Sequence, residues 1–251
     1  MRDREESHLV RRRREGDKIA AVIIEPVPAN NGLLLQRPEF LATLRRETDR
    51  AGAILIFDEV ISGFRLAKGG AAEVLGITPD LATFGKVIGG GLPVGAFGGR
   101  REMAHQVAPE GAVYQAGTLS GNAAAMTAGL TTLRILERDD GWRRLETTGS
   151  ALEALLAPVL ASAPFPARLV RLGSLFWMSL QAGEPPRSAE TIDPAAAARY
   201  APLFHALLMD GVALAPSAYE VGFLSIAHEQ AHLVGLRDAL SAALTRQAGH
   251  A

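Results

Sequence analysis

Two residues, an aspartate and a lysine, are spaced so that they could reach the same edge of a sheet. Asp58 follows the apolar run 53–57, a pattern typical of a buried parallel strand that carries a carboxylate to its ligand-binding end. Lys86 follows Thr83-Phe84-Gly85 and precedes Gly89-Gly90-Gly91, and glycines let the backbone approach a small molecule closely. Such a pair suits pyridoxal-phosphate chemistry: the lysine would form a Schiff base, and the acid would keep the pyridine nitrogen protonated.

Each of the two residues also has an ordinary explanation. Asp58 could be a helix cap or a loop acid, and Lys86 could be a surface lysine in a glycine-rich turn. The Asp58-Glu59 pair also resembles the magnesium-binding acids of an ATPase, which would require a phosphate loop of the form G-x-x-x-x-G-K-[ST]. Asp80 stands at the first glycine of that pattern and Val87 at its hydroxyl position, which excludes the ATPase.

The elements around these residues predict an α/β domain. The β-branched run 19–24 indicates a buried strand, and the apolar spacing over 37–50 indicates a helix that stops at Gly52. With the strand at 53–57 they form a β–loop–α–β unit, which builds parallel sheets. Further strands are predicted at 79–84 and 94–97, and a helix at 121–137.

After about residue 140 the pattern changes. Helices are predicted at 142–160, 195–209 and 229–243, a half-exposed strand at 168–180 and another strand at 222–227. Because strands and helices no longer alternate, we expect a smaller α+β domain. The predicted division is a partial large domain over 1–140 and a small domain over 141–251.

Composition excludes several classes of protein. The 251-residue chain has a formal net charge of −1 and no cysteine, so nothing attracts nucleic acid overall, and disulfides and thiolate metal sites are excluded. The run Arg11–Arg14 has no interleaved aromatic residues and is interpreted as a solvated helix face. His228 and His232 lack a third ligand, so no metal is expected. No membrane segment is predicted, and a cytoplasmic enzyme fits this composition.

Three segments carry a resemblance to a known family. They read D-E-V-I-S-G-F-R at 58–65, T-F-G-K-V-I-G-G-G-L-P-V-G-A at 83–96 and Y-Q-A-G-T-L-S-G-N at 114–122. In this order they resemble the class III, fold-type I pyridoxal-phosphate aminotransferases, and the resemblance runs from about residue 17 to the C-terminus. It implies an incomplete large domain with a mainly parallel sheet, followed by a smaller α+β domain.

The resemblance also implies roles for individual residues. Lys86 would form the Schiff base and shuttle protons, Asp58 would pair with the pyridinium nitrogen, and Val60 would pack against the ring. Asn30, in a segment similar to the family's E-P-V-x-x-N, would lie near the phenolic oxygen. Thr118 would reach the cofactor phosphate of a neighbouring subunit, so the resemblance implies a homodimer with shared active sites.

Thr118 has an alternative role as the N-cap of the following helix. Ser120 could fill that role equally well. The phosphate role is preferred because the whole segment 114–122 matches, and because a helix N-terminus favours anions.

Within the class, the chain most resembles the glutamate-1-semialdehyde 2,1-aminomutases. These enzymes convert a small amino-aldehyde to 5-aminolevulinate for tetrapyrrole synthesis. They use the pyridoxal and pyridoxamine forms of the cofactor. Ile61 and Gly63-Phe64-Arg65 differ from the D-E-V-Q and G-x-G-R of ω-aminotransferases. The segment 214–223 resembles L-A-P-S-x-x-E-x-G-F, which makes Glu220 a candidate gate residue near the substrate entrance, although a loop glutamate is ordinarily exposed to solvent. An ω-aminotransferase with a keto-acid acceptor and a non-catalytic remnant are the alternatives.

The aminomutases of this comparison are much longer than this chain. Their N-terminal part carries a glycine-threonine phosphate turn, an aromatic residue stacked on the ring and an arginine for the substrate carboxylate, and none has a counterpart here. We therefore expect a fragment or a chain that pairs with a separate half, with exposed sheet edges, weak cofactor binding and little activity alone.

Overall fold

A computed structural model describes residues 18–248, so the predicted basic helix face at Arg11–Arg14 lies outside the described residues. The chain divides into two compact units, the first made of 18–26 and 37–133 and the second of 27–36 and 134–248. The short segment 27–36 therefore belongs with the C-terminal part of the chain. Among the described residues, no helix combines the length and apolar character needed to cross a membrane.

The first unit contains a four-stranded mixed sheet. Its strands are β1 (Ala21–Ile24), β2 (Ile54–Glu59), β3 (Leu81–Phe84) and β4 (Ala96–Gly99), in the order β1-β2-β3-β4. The β1–β2 and β2–β3 pairs are parallel, and β4 is antiparallel to β3. The predicted α/β class with a mainly parallel sheet is confirmed.

Helices connect these strands. The helix α1 (Pro38–Ala51) begins with proline, whose fixed φ suits the first turn, and ends at Gly52 in the left-handed conformation, as the sequence predicts. The other helical segments are α2 (Gly70–Leu75), a 3₁₀ turn (Lys86–Gly89), α3 (Arg101–Ala104) and α4 (Ala123–Arg138), of which the last extends past the division between the units.

The two faces of this sheet differ in burial. Leu55, Phe57 and Ala82 form a buried cluster on one face. On the opposite face Ile23 is 62% exposed and Phe97 is 56% exposed. The expectation that β1 is a buried strand is therefore wrong: among the described strands it pairs only with β2, and its alternate residues are exposed.

The second unit contains a three-stranded antiparallel sheet. Its strands are β5 (Arg168–Leu172), β6 (Leu175–Ser179) and β7 (Gly222–Phe223). The single half-exposed strand predicted over 168–180 is wrong, because Gly173, with φ of 58°, turns the chain into a hairpin whose second strand is buried at every residue. The strand expected at 222–227 is only two residues long.

The described residues of the second unit also form the helices α5 (Gly141–Ala161), α6 (Ala196–Met209) and α7 (Gln230–Ala248) and a 3₁₀ turn (Ala189–Thr191). The buried leucines of α5 recur at helical spacing, so one stripe of the helix lies in the core. The segment 27–36 is hydrogen-bonded into this unit, where the Gly32 amide donates to the Tyr219 carbonyl at 2.6 Å. The fully buried leucines of the unit include Leu152, Leu156, Leu160, Leu175, Leu203, Leu207 and Leu240.

Candidate active site

Asp58 lies near the carboxyl end of β2, and its carboxylate is held on one side only. Its Oδ1 accepts the Val60 amide at 3.1 Å and the hydroxyl of Thr83 at 3.2 Å. Thr83 is the residue paired with Asp58 in the β2–β3 register. Among the hydrogen bonds of the described residues, none reaches Oδ2, so one oxygen is anchored while the other can accept a donor from a bound molecule.

Glu59, the next residue, has a different role. It is 1% exposed, and its carboxylate accepts the backbone amides of Ala71 at 2.6 Å and Ala72 at 3.0 Å and the Ser62 hydroxyl at 3.1 Å. It thereby satisfies the N-terminus of α2. Since successive strand residues point to opposite faces, the two acids do not form one magnesium site. This agrees with the exclusion of an ATPase.

Lys86 begins the 3₁₀ turn just beyond β3. Because β2 and β3 run parallel and in register, Lys86 and Asp58 emerge at the same edge of the sheet. The lysine is exposed and has a φ of 47°, in the left-handed region. A non-glycine residue held there costs about 1–3 kcal/mol, and such strain clusters at functional sites.

Val60 lies close to the residue that precedes the lysine. A Cβ built on Gly85 would be 3.3 Å from Cγ1 of Val60. The half-buried valine therefore lies beside the start of the lysine turn, where it can offer an apolar surface to a ring. The structure thus brings Asp58, Val60 and Lys86 to one edge of one sheet.

Asn30 and Glu220 belong to the second unit, and both are exposed. Their loops are joined by the hydrogen bond from Gly32 to the Tyr219 carbonyl. Glu220 also borders a small pocket that includes Trp177. This exposure matches the ordinary state of a loop glutamate, so the gating role stays a prediction.

Two buried aromatic residues that line this pocket are hydrogen-bonded to the loop that carries Glu220. Trp177 Nε1 donates to the Ala218 carbonyl at 2.7 Å, and the Tyr200 hydroxyl donates to the Ala215 carbonyl at 2.6 Å. Burial raises the pKa of Tyr200 to about 12, because the charged phenolate is disfavoured away from water. The loop that carries Glu220 is therefore anchored through the backbone at both positions.

Thr118 lies exposed in the turn before α4. The cap of that helix is Asn122, whose Oδ1 accepts the Ala125 amide at 3.2 Å. The capping alternative for Thr118 and Ser120 is therefore wrong, and the true cap is an asparagine that the prediction of a helix over 121–137 places inside the helix. No hydrogen bond among the described residues joins Thr118 to Asp58 or Lys86.

A second buried acid, Asp80, stabilises the start of β3 and was not predicted. It is 3% exposed and accepts the Leu55 amide at 2.7 Å, Arg45 at 3.0 Å and Arg100 at 2.7 Å. Burial alone raises the pKa of Asp80, but the Leu55 amide and the two arginines outweigh it and hold that pKa below its usual value. Asp80 thus links β2, α1 and the end of β4.

His228 and His232 flank the start of α7. Each Nδ1 accepts a backbone amide, from Ser225 and Glu229 respectively, at 3.0 Å. These bonds give both imidazoles a structural role at the helix N-terminus.

The side chains at the sheet edge fit pyridoxal phosphate chemically. A carboxylate with one unbound oxygen suits a protonated ring nitrogen, and an exposed primary amine suits an aldehyde.

The chain matches the class-III aminotransferase family over residues 2–230. It is 49% identical over 214 residues to a glutamate-1-semialdehyde 2,1-aminomutase of Bdellovibrio bacteriovorus, covering 85% of this chain and 50% of that protein. The enzyme of that name from Pelotomaculum thermopropionicum is 50% identical over 214 residues, with 85% and 49% covered. The chain spans about half the length of the curated relatives it matches.

Solved structures share the fold. An omega-transaminase from Sphaerobacter thermophilus gives a TM-score of 0.85 at 37% identity, covering 93% of this chain and 53% of that one. A beta-phenylalanine aminotransferase from Variovorax paradoxus gives 0.89 at 31% identity, with 98% and 56% covered. The fold is that of the fold-type I transaminases, as the three motifs predict, and the chain belongs to the class-III aminotransferase family.

Proposed function

We propose that this chain contributes the Asp58–Lys86 part of an aminomutase site that converts glutamate-1-semialdehyde to 5-aminolevulinate with pyridoxal phosphate or its pyridoxamine form. The observation that carries the proposal is the half-anchored carboxylate of Asp58 at the same sheet edge as Lys86. The aminomutase names of the two relatives support the choice of reaction.

Each residue at the edge has a distinct task. When bound, the cofactor supplies a reactive aldehyde and an electron-withdrawing ring. Oδ2 of Asp58 would accept a hydrogen bond from the protonated ring nitrogen, while the Thr83 hydroxyl and the Val60 amide keep Oδ1 in place. Lys86 would bind the cofactor's aldehyde through Nζ and would carry a proton to and from the reacting carbon.

The other predicted residues complete the proposal. By the resemblance to the aminomutases, Asn30 would contact the cofactor's phenolic oxygen and Glu220 would control access at the substrate entrance. The exposure of Thr118 supports a phosphate contact in a neighbouring subunit, and hence a homodimer with shared sites. We also propose a large domain over 1–140, a small domain over 141–251, and a cytoplasmic location, which the lack of cysteine supports.

A second candidate is an aminotransferase that uses a separate keto acid, which the likeness to the Sphaerobacter omega-transaminase favours. Incubating the full chain, loaded with the pyridoxamine form, with the semialdehyde alone separates the two, since only a mutase forms product from one substrate. We expect 5-aminolevulinate above the level given by Lys86→Ala. Product that requires an added keto acid would favour the aminotransferase, and equal levels in both proteins would contradict catalysis by Lys86.

A further inference from the structure

The turn that carries Lys86 and the helix α4 touch through bare backbone. A Cβ built on Gly129 would lie 1.9 Å from the Ile88 carbonyl oxygen, and one built on Gly90 would lie 2.4 Å from the Ala128 carbonyl oxygen. Both distances are far below van der Waals contact, and in each case the atom met is backbone, which cannot swing aside. Helix and turn therefore meet backbone to backbone at these two points, and the Thr132 hydroxyl of α4 also lies 2.8 Å from the Cβ position of Gly90.

The same turn contains the strained lysine. Lys86 has a φ of 47°, and Gly90 ends the turn at 58°. Hydrogen bonds within the segment, from Ile88 to the Gly85 carbonyl at 3.3 Å and from Gly90 to the Val87 carbonyl at 3.1 Å, close it tightly. A left-handed lysine persists only where the surroundings impose it, and the approach of α4 to this turn is closer than that of Val94, whose carbonyl oxygen would lie 3.5 Å from a Cβ on Gly85.

We infer that Gly129 is a positioning residue for Lys86. Its missing side chain lets α4 press on the Ile88 carbonyl, which fixes the turn two residues after the lysine and with it the direction in which the lysine leaves β3. The inference rests on the proposed function of Lys86. A methyl group at position 129 displaces the turn and releases the lysine from its left-handed conformation.

A mutant cycle tests this without any cofactor. Glycine tolerates a positive φ better than alanine, so Lys86→Gly should unfold at a higher urea concentration than Lys86→Ala. In a Gly129→Ala background this difference should shrink to near zero, because the strain is gone. An undiminished difference in that background would overturn the inference, as would the absence of any difference in the original chain.

Gly235→Ala is the matched control. Gly235 is also a helical glycine, in α7, but a Cβ there meets nothing within 4 Å. The Lys86→Gly and Lys86→Ala midpoints should differ as much in this background as in the unaltered chain. If Gly129→Ala alone lacks a folded far-UV spectrum, the cycle is run with Gly235→Ala added, since alanine favours the helix there.

A labelling experiment links the positioning to chemistry. The chain has three lysines, Lys18, Lys68 and Lys86, so pyridoxal phosphate followed by borohydride and peptide mapping gives a ratio of label on Lys86 to label on the other two. We expect Gly129→Ala to lower this ratio at least several-fold and Gly235→Ala to leave it unchanged. A ratio that is high and equal in all proteins overturns the positioning role alone, whereas a ratio near one in the unaltered chain contradicts the proposed function.

Discussion

The two sheets of this protein are stabilised in different ways. In the antiparallel sheet of the second unit, every residue of β6 is buried, and the buried polar residues of that unit among those described are the serines Ser174 and Ser179. In the mixed sheet of the first unit, alternate residues of β1 are exposed, yet two carboxylates, Glu59 and Asp80, are almost fully buried.

This difference bears on function. Apolar packing stabilises a core without directing any one atom, whereas a buried carboxylate with several donors fixes a strand end in one orientation. Glu59 does this at the end of β2 and Asp80 at the start of β3, on the two strands that lead to Asp58 and Lys86. The strand ends at the candidate site are held by directional bonds to buried carboxylates, whereas β6 of the other unit is held by apolar burial along its whole length.

The largest effect should come from the apolar sheet. Leu175→Ala should lower the free energy of unfolding by about 3 kcal/mol, because a fully buried leucine leaves a cavity. Ile23→Ala, on the half-exposed strand of the mixed sheet, should cost less than about 1 kcal/mol. Urea unfolding of both variants checks this, and equal losses would show that the two sheets do not differ as described.

Removing the Glu59 carboxylate should have the next largest effect. Glu59→Ala should lower the free energy of unfolding by about 2–3 kcal/mol, since a buried amide, a half-buried amide and a buried hydroxyl lose their acceptor. Glu73 is the matched control: it also accepts a backbone amide, from Gly69, but is exposed. Glu73→Ala should lower the free energy of unfolding by about 0.5 kcal/mol. Equal losses for the two variants in chemical denaturation would show that the burial of Glu59 does not determine its effect.

Asp80 should make the first unit sensitive to acid. Its folded-state pKa is lowered, so the stability it contributes is present above its unfolded value of about 3.9 and is lost as the pH falls through the folded value. Asp80→Asn should cost about 2 kcal/mol at pH 7 and less below about pH 4.

Urea midpoints measured from pH 7 down to about pH 3 check this prediction. Asp49→Asn is the control, because Asp49 shares Arg45 but is exposed, and it should cost less than about 0.5 kcal/mol. A loss for Asp80→Asn that stays constant with pH would contradict the assignment.

The second unit should respond to alkali instead, through Tyr200. Its pKa of about 12 exceeds the unfolded value of about 10, so the stability it contributes is complete below about pH 10 and is lost as the pH rises towards about 12. Tyr200→Phe should cost about 1 kcal/mol at neutral pH for the lost hydrogen bond and should remove this alkaline loss. Tyr114→Phe, at an exposed position, should change neither quantity.

Local patterns in the sequence predicted most of the elements and the three motifs. Apolar runs located β2 and β3, and Gly52 marked the end of α1, because these signals act between neighbours in the chain. The hairpin at Gly173 was missed because apolar residues on both sides hid a glycine turn. The Glu59 and Asp80 networks could not be predicted, since their partners are brought close only by the fold.

The most direct test of the central claim, that Asp58 and Lys86 act on one cofactor, is reductive labelling of the full chain with pyridoxal phosphate and borohydride. We predict that Lys86 takes most of the label over Lys18 and Lys68, and that Asp58→Asn lowers this preference at least several-fold. Label spread evenly over the three lysines, or a preference for Lys86 that Asp58→Asn leaves unchanged, would contradict the claim.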